Sequence, residues 1–158
     1  QRQMCIRDRF SSNKNLDFYF KRDGIVQNLG ETQLAFSPNV VLGNALIFAP
    51  SNRFQIGLLS KYVGKQYMGN IDAENSTLAA YFVSDLNAVF TWQPKRWVKE
   101  IQWSTTVNNI FNLKYESNGY FFTYDDTWSL SGQVKTIEGA GYYPQAGIHF
   151  LTGLKLTF

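Results

Sequence analysis

Residues 112–143 carry the side chains whose types could do chemistry. Tyr120, Phe121, Phe122, Tyr124 and Trp128 fall close together, around the acidic pair Asp125-Asp126. Flat aromatic faces stack on apolar ligand surfaces, and carboxylates accept hydrogen bonds. These seven residues are the candidate contacts for a small ligand. A plainer reading has the aromatics packing between loops or forming a girdle at a membrane surface. Asp125-Asp126 could hold Ca²⁺ with loop carbonyls, although adjacent loop acids are more often simply solvated.

The remaining reactive residue types point away from catalysis. His149 is the one histidine, with no serine or carboxylate at a local spacing that would make a catalytic pair. Without a second histidine or a cysteine pair there is no metal-ligand spacing. Gly139-Ala-Gly141 lacks the strand-before, helix-after context of a phosphate loop. No catalytic residue, metal site or cofactor is expected.

Composition narrows the class. The chain has 158 residues, 16% of them aromatic, and only 17% are charged, against about 25% in ordinary soluble domains. Its net charge of +3 is small and does not suggest nucleic-acid binding. No apolar run approaches the ~18 residues of a membrane-spanning helix. A membrane protein of this composition would have to be a closed β-barrel. The first nine residues, Gln1-Arg-Gln-Met-Cys-Ile-Arg-Asp-Arg9, have no apolar signal core and resemble a translated sequencing-adaptor scar. They are expected to be non-native, and with them Cys5, the single cysteine.

The elements that must position these groups read as strands. From 144 to 158, Ala146, Ile148, Phe150, Thr152, Leu154, Leu156 and Phe158 share one face, opposite Gln145, Gly147, His149, Leu151, Gly153, Lys155 and Thr157. That period of two marks a strand with different environments on its two sides. Its length suits a tilted bilayer span of about 9–11 residues. Five further strands are expected at 10–21, 32–48, 54–68, 78–92 and 98–111. Ser37-Pro38 bars a helix in the second. In the fourth, Phe82, Leu86, Ala88, Phe90 and Trp92 lie on one face. Arg22-Asp23-Gly24 reads as a turn, and residues 25–31 and 112–143 read as loops, the latter with only weak alternation at 121–126 and 127–137, although part of it could extend the flanking strands as a hairpin.

The connections alternate in length: long at 22–31, short at 49–53, long at 69–77, short at 93–97, long at 113–143. Outer-membrane barrels have short periplasmic turns and long extracellular loops. The expected fold is therefore all-β, an antiparallel up-and-down transmembrane β-barrel fragment of about six strands. Its C-terminus would be periplasmic, with Trp92 and Trp97 beside a periplasmic turn.

Val107-Asn-Asn-Ile-Phe-Asn112, followed by Tyr115 and Glu116-Ser-Asn-Gly-Tyr120, resembles the penultimate-strand motif of TonB-dependent outer-membrane receptors. Tyr142-Tyr-Pro-Gln-Ala-Gly147, leading into a last strand that ends in phenylalanine, is similar to the same family. Ala35-Phe-Ser-Pro-Asn39 and Leu59-Ser-Lys-Tyr-Val-Gly-Lys-Gln-Tyr67 look like its Bacteroidetes-type members. The resemblance spans residues 10–158. It marks Asn108, Asn109, Phe111, Asn112 and Tyr115 as the family motif, and Phe150, Leu154, Leu156 and Phe158 as the signal read by the barrel-assembly machinery.

That resemblance implies a barrel of about 22 strands closed by a plug, in the outer membrane of a Gram-negative bacterium. Such a receptor takes up a scarce nutrient (a siderophore-bound iron, a cobalamin or a glycan) with TonB energy coupling through the plug. About six strands and no plug make this chain a C-terminal piece of that design. The alternative is a small complete outer-membrane barrel with a structural or adhesin role, for which 112–143 would have to supply two more strands.

Overall fold

A computed structural model describes residues 2–94, 97–129 and 131–158. It is all-β and antiparallel. One six-stranded sheet is built from β1 (Arg2–Phe10), β6 (Val40–Ser51), β7 (Phe54–Val63), β10 (Tyr81–Trp92), β11 (Glu100–Asn108) and β14 (His149–Thr157). The strands lie side by side in that order. The sheet is open, with β1 at one edge and β14 at the other.

Register gives the sheet two unlike faces. Phe54, Phe90, Trp103 and Leu154 form one lateral row, and Leu46, Leu58, Leu86, Val107 and Phe150 form another on the same side. The opposite side carries Asn87 against Thr106, Gln102 against Lys155 and Asn108 against His149. A one-residue slip in any strand would mix these sets. The apolar face is not covered by a second layer: Phe90, Trp103, Phe150 and Leu154 are all exposed, Phe150 by 71%.

The two-residue turn Asn52-Arg53 and residues 93–99 join strands at one end of the sheet. The connections 11–39, 64–80 and 109–148 all emerge at the other. The turn expected at Gln93-Pro-Lys-Arg96 falls partly outside the described residues, as do Lys95 and Arg96 themselves.

The long connections carry the small elements. β2 (Lys14–Asn15) pairs with β5 (Thr32–Gln33), β3 (Tyr19–Arg22) with β4 (Ile25–Asn28), and β8 (Gln66–Tyr67) with β9 (Thr77–Leu78). A 3₁₀ turn spans Glu74–Ser76. β12 (Glu116–Asp126) and β13 (Lys135–Pro144) pair only with each other.

Several expectations need correction. Of the strand expected at 10–21, only Phe10 belongs to the main sheet. Asp23 and Gly24 adopt φ values of 53° and 79°, the signature of a type I′ hairpin turn. That turn pairs residues 19–22 locally with 25–28, which had read as loop. The place beside β6 is filled instead by Arg2–Phe10, in register from Arg2 opposite Phe48 to Phe10 opposite Val40. The second strand begins at Val40, after Pro38, because proline cannot donate to a ladder. The third stops at Val63, where the backbone N–H of Gly64 turns back to the carbonyl of Val40 at 2.8 Å. Residues 112–143 are largely a hairpin rather than a loop. Glycines at 139 and 141 hide its alternation, because they leave the partner strand with no side chain to read.

The hydrophobic core lies at the loop end. Val63, Met68, Ile71, Leu78 and Tyr81 are buried there, Leu78 to 1% exposure. Ser76, fully buried, donates its hydroxyl to the carbonyls of Ile71 and Ala73 and so closes the 3₁₀ turn beneath them.

Candidate functional site

The asparagine motif forms the turn where β11 leaves the sheet. Asn109 is 3% exposed and has φ +51°, a region asparagine tolerates better than most residues. Its Nδ2 donates to the carbonyls of Leu113 at 2.8 Å and Ala146 at 3.1 Å. Its Oδ1 accepts the N–H of Leu113 at 2.9 Å. Its own N–H donates to Asp85 at 2.8 Å. Both protons and the oxygen of the carboxamide are thus occupied. Asn109 stitches β10, its own turn and the approach to β14 together, and offers nothing to a ligand.

Asn112, at φ +50°, accepts the N–H of Ile148 at 3.0 Å. A Cβ on Gly147 would sit 2.5 Å from that same oxygen, so the glycine admits the contact. Phe111 stacks on Phe82 at 6.3 Å, and Tyr115 on Tyr81 at 4.4 Å. Burial pushes the Tyr115 hydroxyl above its ordinary value, and the nearby Asp85 carboxylate adds to the effect. Every motif residue therefore has a structural task.

On the polar face, Asp85, Asn108, Tyr115, Gln145 and His149 line a small cleft. This brings a carboxylate into the neighbourhood of His149 that local spacing did not reveal. The Nδ1 of His149 lies 2.9 Å from the carbonyl of Gly147, and Nε2 lies 3.1 Å from the Asn108 amide nitrogen. A carbonyl only accepts, so the proton sits on Nδ1 and Nε2 accepts from Asn108. Among the described residues no three His, Cys, Asp or Glu side chains cluster in a way that could hold a metal.

The β12–β13 hairpin divides the ligand candidates between its two faces. Tyr120, Phe122 and Tyr124 point to one side, where Trp128 joins them. Their rings follow one another at 6.2, 6.3 and 6.1 Å, inclined by 19°, 13° and 6°. All four are exposed. Phe121 and Asp125 point to the other side, toward the neighbouring loops. Phe121 packs against Gly69. Asp125 accepts from Lys21 at 2.9 Å and from Thr136 at 2.9 Å. Asp126 accepts the backbone N–H groups of Trp128 and Ser129 at 3.1 and 3.0 Å, closing the hairpin tip as an Asx-type turn. Hydrogen bonding holds both carboxyls below the ordinary range, with Lys21 the largest influence on Asp125 and the Ser129 side chain, ahead of its backbone N–H, on Asp126.

Residues that sequence reasoning passed over complete this layer. Arg22 reaches Glu138 at 2.6 Å, and Asp23 and Thr136 exchange reciprocal hydrogen bonds of 2.7 and 2.8 Å. Tyr142 donates to the carbonyl of Asn75 at 2.9 Å. Asp72 and Asn70 accept the N–H groups of Gln33 and Ala35 at 2.9 and 2.8 Å. Each of the three long connections is therefore tied to the other two. The signal was faint: opposite charges about a hundred residues apart carry no local pattern.

The assembly-signal candidates lie on the open edge. Phe150, Leu154 and Leu156 pair with Val107, Trp103 and Ile101. Phe158 follows the last paired residue and is 72% exposed. No protein-family model matches the chain, and no curated protein or solved structure matches it significantly.

Proposed function

We propose that the chain is the C-terminal barrel segment of a TonB-dependent outer-membrane receptor that takes up a scarce nutrient. The observation that carries this reading is the uncovered apolar face running across the main sheet, backed by a polar face. A water-soluble sheet would bury such a face under a second layer, and an exposed apolar patch of this extent marks a surface meant for another phase or partner. The twelve residues of β10, from Tyr81 to Trp92, have the length of a tilted bilayer-crossing strand. Short connections at one end and long, mutually tied connections at the other fit periplasmic turns and extracellular loops.

In this reading the apolar face meets outer-membrane lipid, and the whole barrel continues beyond β14 on one side and beyond β6 on the other, where residues 2–9 take the place of the native preceding strand. The barrel-assembly machinery reads β14, and TonB acts through a plug on the same parent protein. A small complete barrel is less favoured, because β12 and β13 supply two strands that pair with each other and not with the main sheet.

The test is the genomic coding frame upstream of the Phe10 codon. The receptor reading expects further alternating strands, a plug domain and a signal peptide in that frame. A signal peptide immediately before Phe10 would overturn it in favour of the small barrel.

A further inference from the structure

Asn118-Gly119 is the one Asn-Gly step in the sequence, and Asp23-Gly24 the one Asp-Gly step. A glycine in second place leaves its backbone nitrogen unshielded by a side chain, so that nitrogen can reach the side-chain carbonyl carbon of the residue before it. The fold treats the two steps differently. Asp23 directs its carboxylate to the neighbouring hairpin, where it accepts the Thr136 N–H at 2.8 Å. Asn118 folds back on its own chain, and its Oδ1 accepts the Gly119 N–H at 2.8 Å. The carboxamide carbon therefore lies beside the Gly119 nitrogen. Two atoms that could form a bond are already neighbours. Asn28, Asn109 and Asn112 turn their oxygens to Gly30, Leu113 and Ile148 instead, none of them the next residue.

The surroundings favour reaction at this step. Asn118 is exposed, so water and base can reach it. The register of β12 slips between Glu116 and Asn118, leaving Ser117 as an extra residue just before the step. Such a bulge interrupts the ladder and bends the strand. β12 pairs with β13 alone, and a two-stranded ribbon yields more readily than the interior of a sheet. The glycine itself is required by packing. A Cβ at position 119 would run into the Met68 sulfur and the backbone oxygen of Gly141, and Met68 belongs to the buried core of the loop end. The fold thus demands the residue that makes the step labile.

We propose that Asn118 is a self-modification site that deamidates without an enzyme. The Gly119 nitrogen gives its proton to hydroxide and bonds to Cγ of Asn118. The carboxamide C–N bond breaks, and its nitrogen takes a proton from water and leaves as ammonia. One water then opens the cyclic imide at either carbonyl. One opening leaves aspartate at position 118; the other leaves isoaspartate, in which the former side chain carries the main chain. Isoaspartate adds a backbone carbon between the pairs Asn118–Tyr143 and Gly119–Tyr142, so both rungs cannot keep their register. Tyr142 ties this hairpin to the carbonyl of Asn75. The modification therefore loosens the β12–β13 hairpin from the connection 64–80, irreversibly and with time. It depends on neither the membrane nor the receptor reading.

The test is incubation of the refolded 158-residue chain in warm, mildly alkaline buffer, beside the same chain unfolded in guanidinium. Peptic digestion at low pH and mass spectrometry follow each asparagine, and isoaspartyl methyltransferase labels the isoaspartate. In the folded chain Asn118 should lose its amide several-fold faster than any other asparagine and no more than several-fold slower than in guanidinium. The rate should rise with pH, and Asp23 should gain no isoaspartate over the same period. Asn118→Gln, whose longer side chain closes its ring far more slowly, should abolish the reaction there and keep the fold, as circular dichroism would show. An Asn118 amide that persists in the folded chain while the unfolded chain loses it would overturn the proposal. So would loss no faster than at the other asparagines, a rate indifferent to pH, or equal loss from the glutamine variant.

Discussion

The backbone N–H of Asn109 donates to the Asp85 carboxylate at 2.8 Å, joining two strands at the level where the sheet ends and the loop layer begins. Below it, β10 and β11 pair residue for residue from Trp92–Ile101 to Leu86–Val107. Above it the chain turns through two left-handed asparagines and runs out into the β12–β13 hairpin. The motif at residues 108–112 is thus a joint between a sheet with exposed faces and a layer with a buried core.

Asn109→Ala removes a fully used, buried carboxamide and places alanine at positive φ. The lost hydrogen bonds and stranded carbonyls, with the backbone penalty, should cost about 2–4 kcal/mol. Asn109→Gly keeps the backbone freedom and should recover about 1 kcal/mol of that loss. Urea unfolding in detergent, with circular dichroism, reads both. Equal stability of the alanine variant and the parent would remove the motif from its structural role.

The clasp between the β3–β4 and β12–β13 hairpins should depend on pH. Hydrogen bonding from Lys21, and then from Thr136, lowers the Asp125 carboxyl below its ordinary value of 3.8. A carboxyl depressed in the folded state stabilises it above the ordinary value and loses that contribution as pH falls through the lowered one. The clasp should therefore hold at neutral pH and loosen only below the usual carboxylate range. Hydrogen exchange at the Asp23 and Thr136 amides, corrected for intrinsic rate, should accelerate there. Asp125→Asn should show the faster exchange already at neutral pH, with the acid step diminished. An acid step of undiminished size in that variant would assign it to another group.

Deletion of Phe158 separates folding from assembly. Phe158 lies beyond the last ladder pair, whose Thr157 carbonyl already accepts the Lys99 N–H at 2.8 Å. Its loss should change the stability of the detergent-refolded chain by no more than about 0.5 kcal/mol. Expressed in the parent protein, the same deletion should lower the amount recovered in the outer-membrane fraction several-fold. Unchanged recovery would deny the terminal aromatic any part in assembly.

The sequence by itself determined what depends on local pattern. Alternation at period two located five of the six main-sheet strands, β10 and β11 closely, β7 and β14 with one end overextended, and β6 with its start placed well before Val40. In each, a side chain's face follows from its position alone, as Phe82, Leu86 and Phe90 illustrate. Asp23-Gly24 announced its turn through the one residue type that adopts positive φ without cost. Pro38 signalled a missing donor, yet the expected strand ran through it, and only the structure set its start at Val40. Tertiary structure decided what depends on distant partners. Asp125 looked like a ligand group until Lys21, 104 residues away, occupied it. Asn109 became a joint only once Asp85 and Ala146 lay beside it. The aromatics of 120–128 took opposite roles, Phe121 inward against Gly69 and Phe122 outward over Gly139, because pairing with a glycine-bearing strand fixed which face each would take. Glycine leaves no mark in a pattern of side chains, and a charge carries no record of its partner, so both had to await the fold.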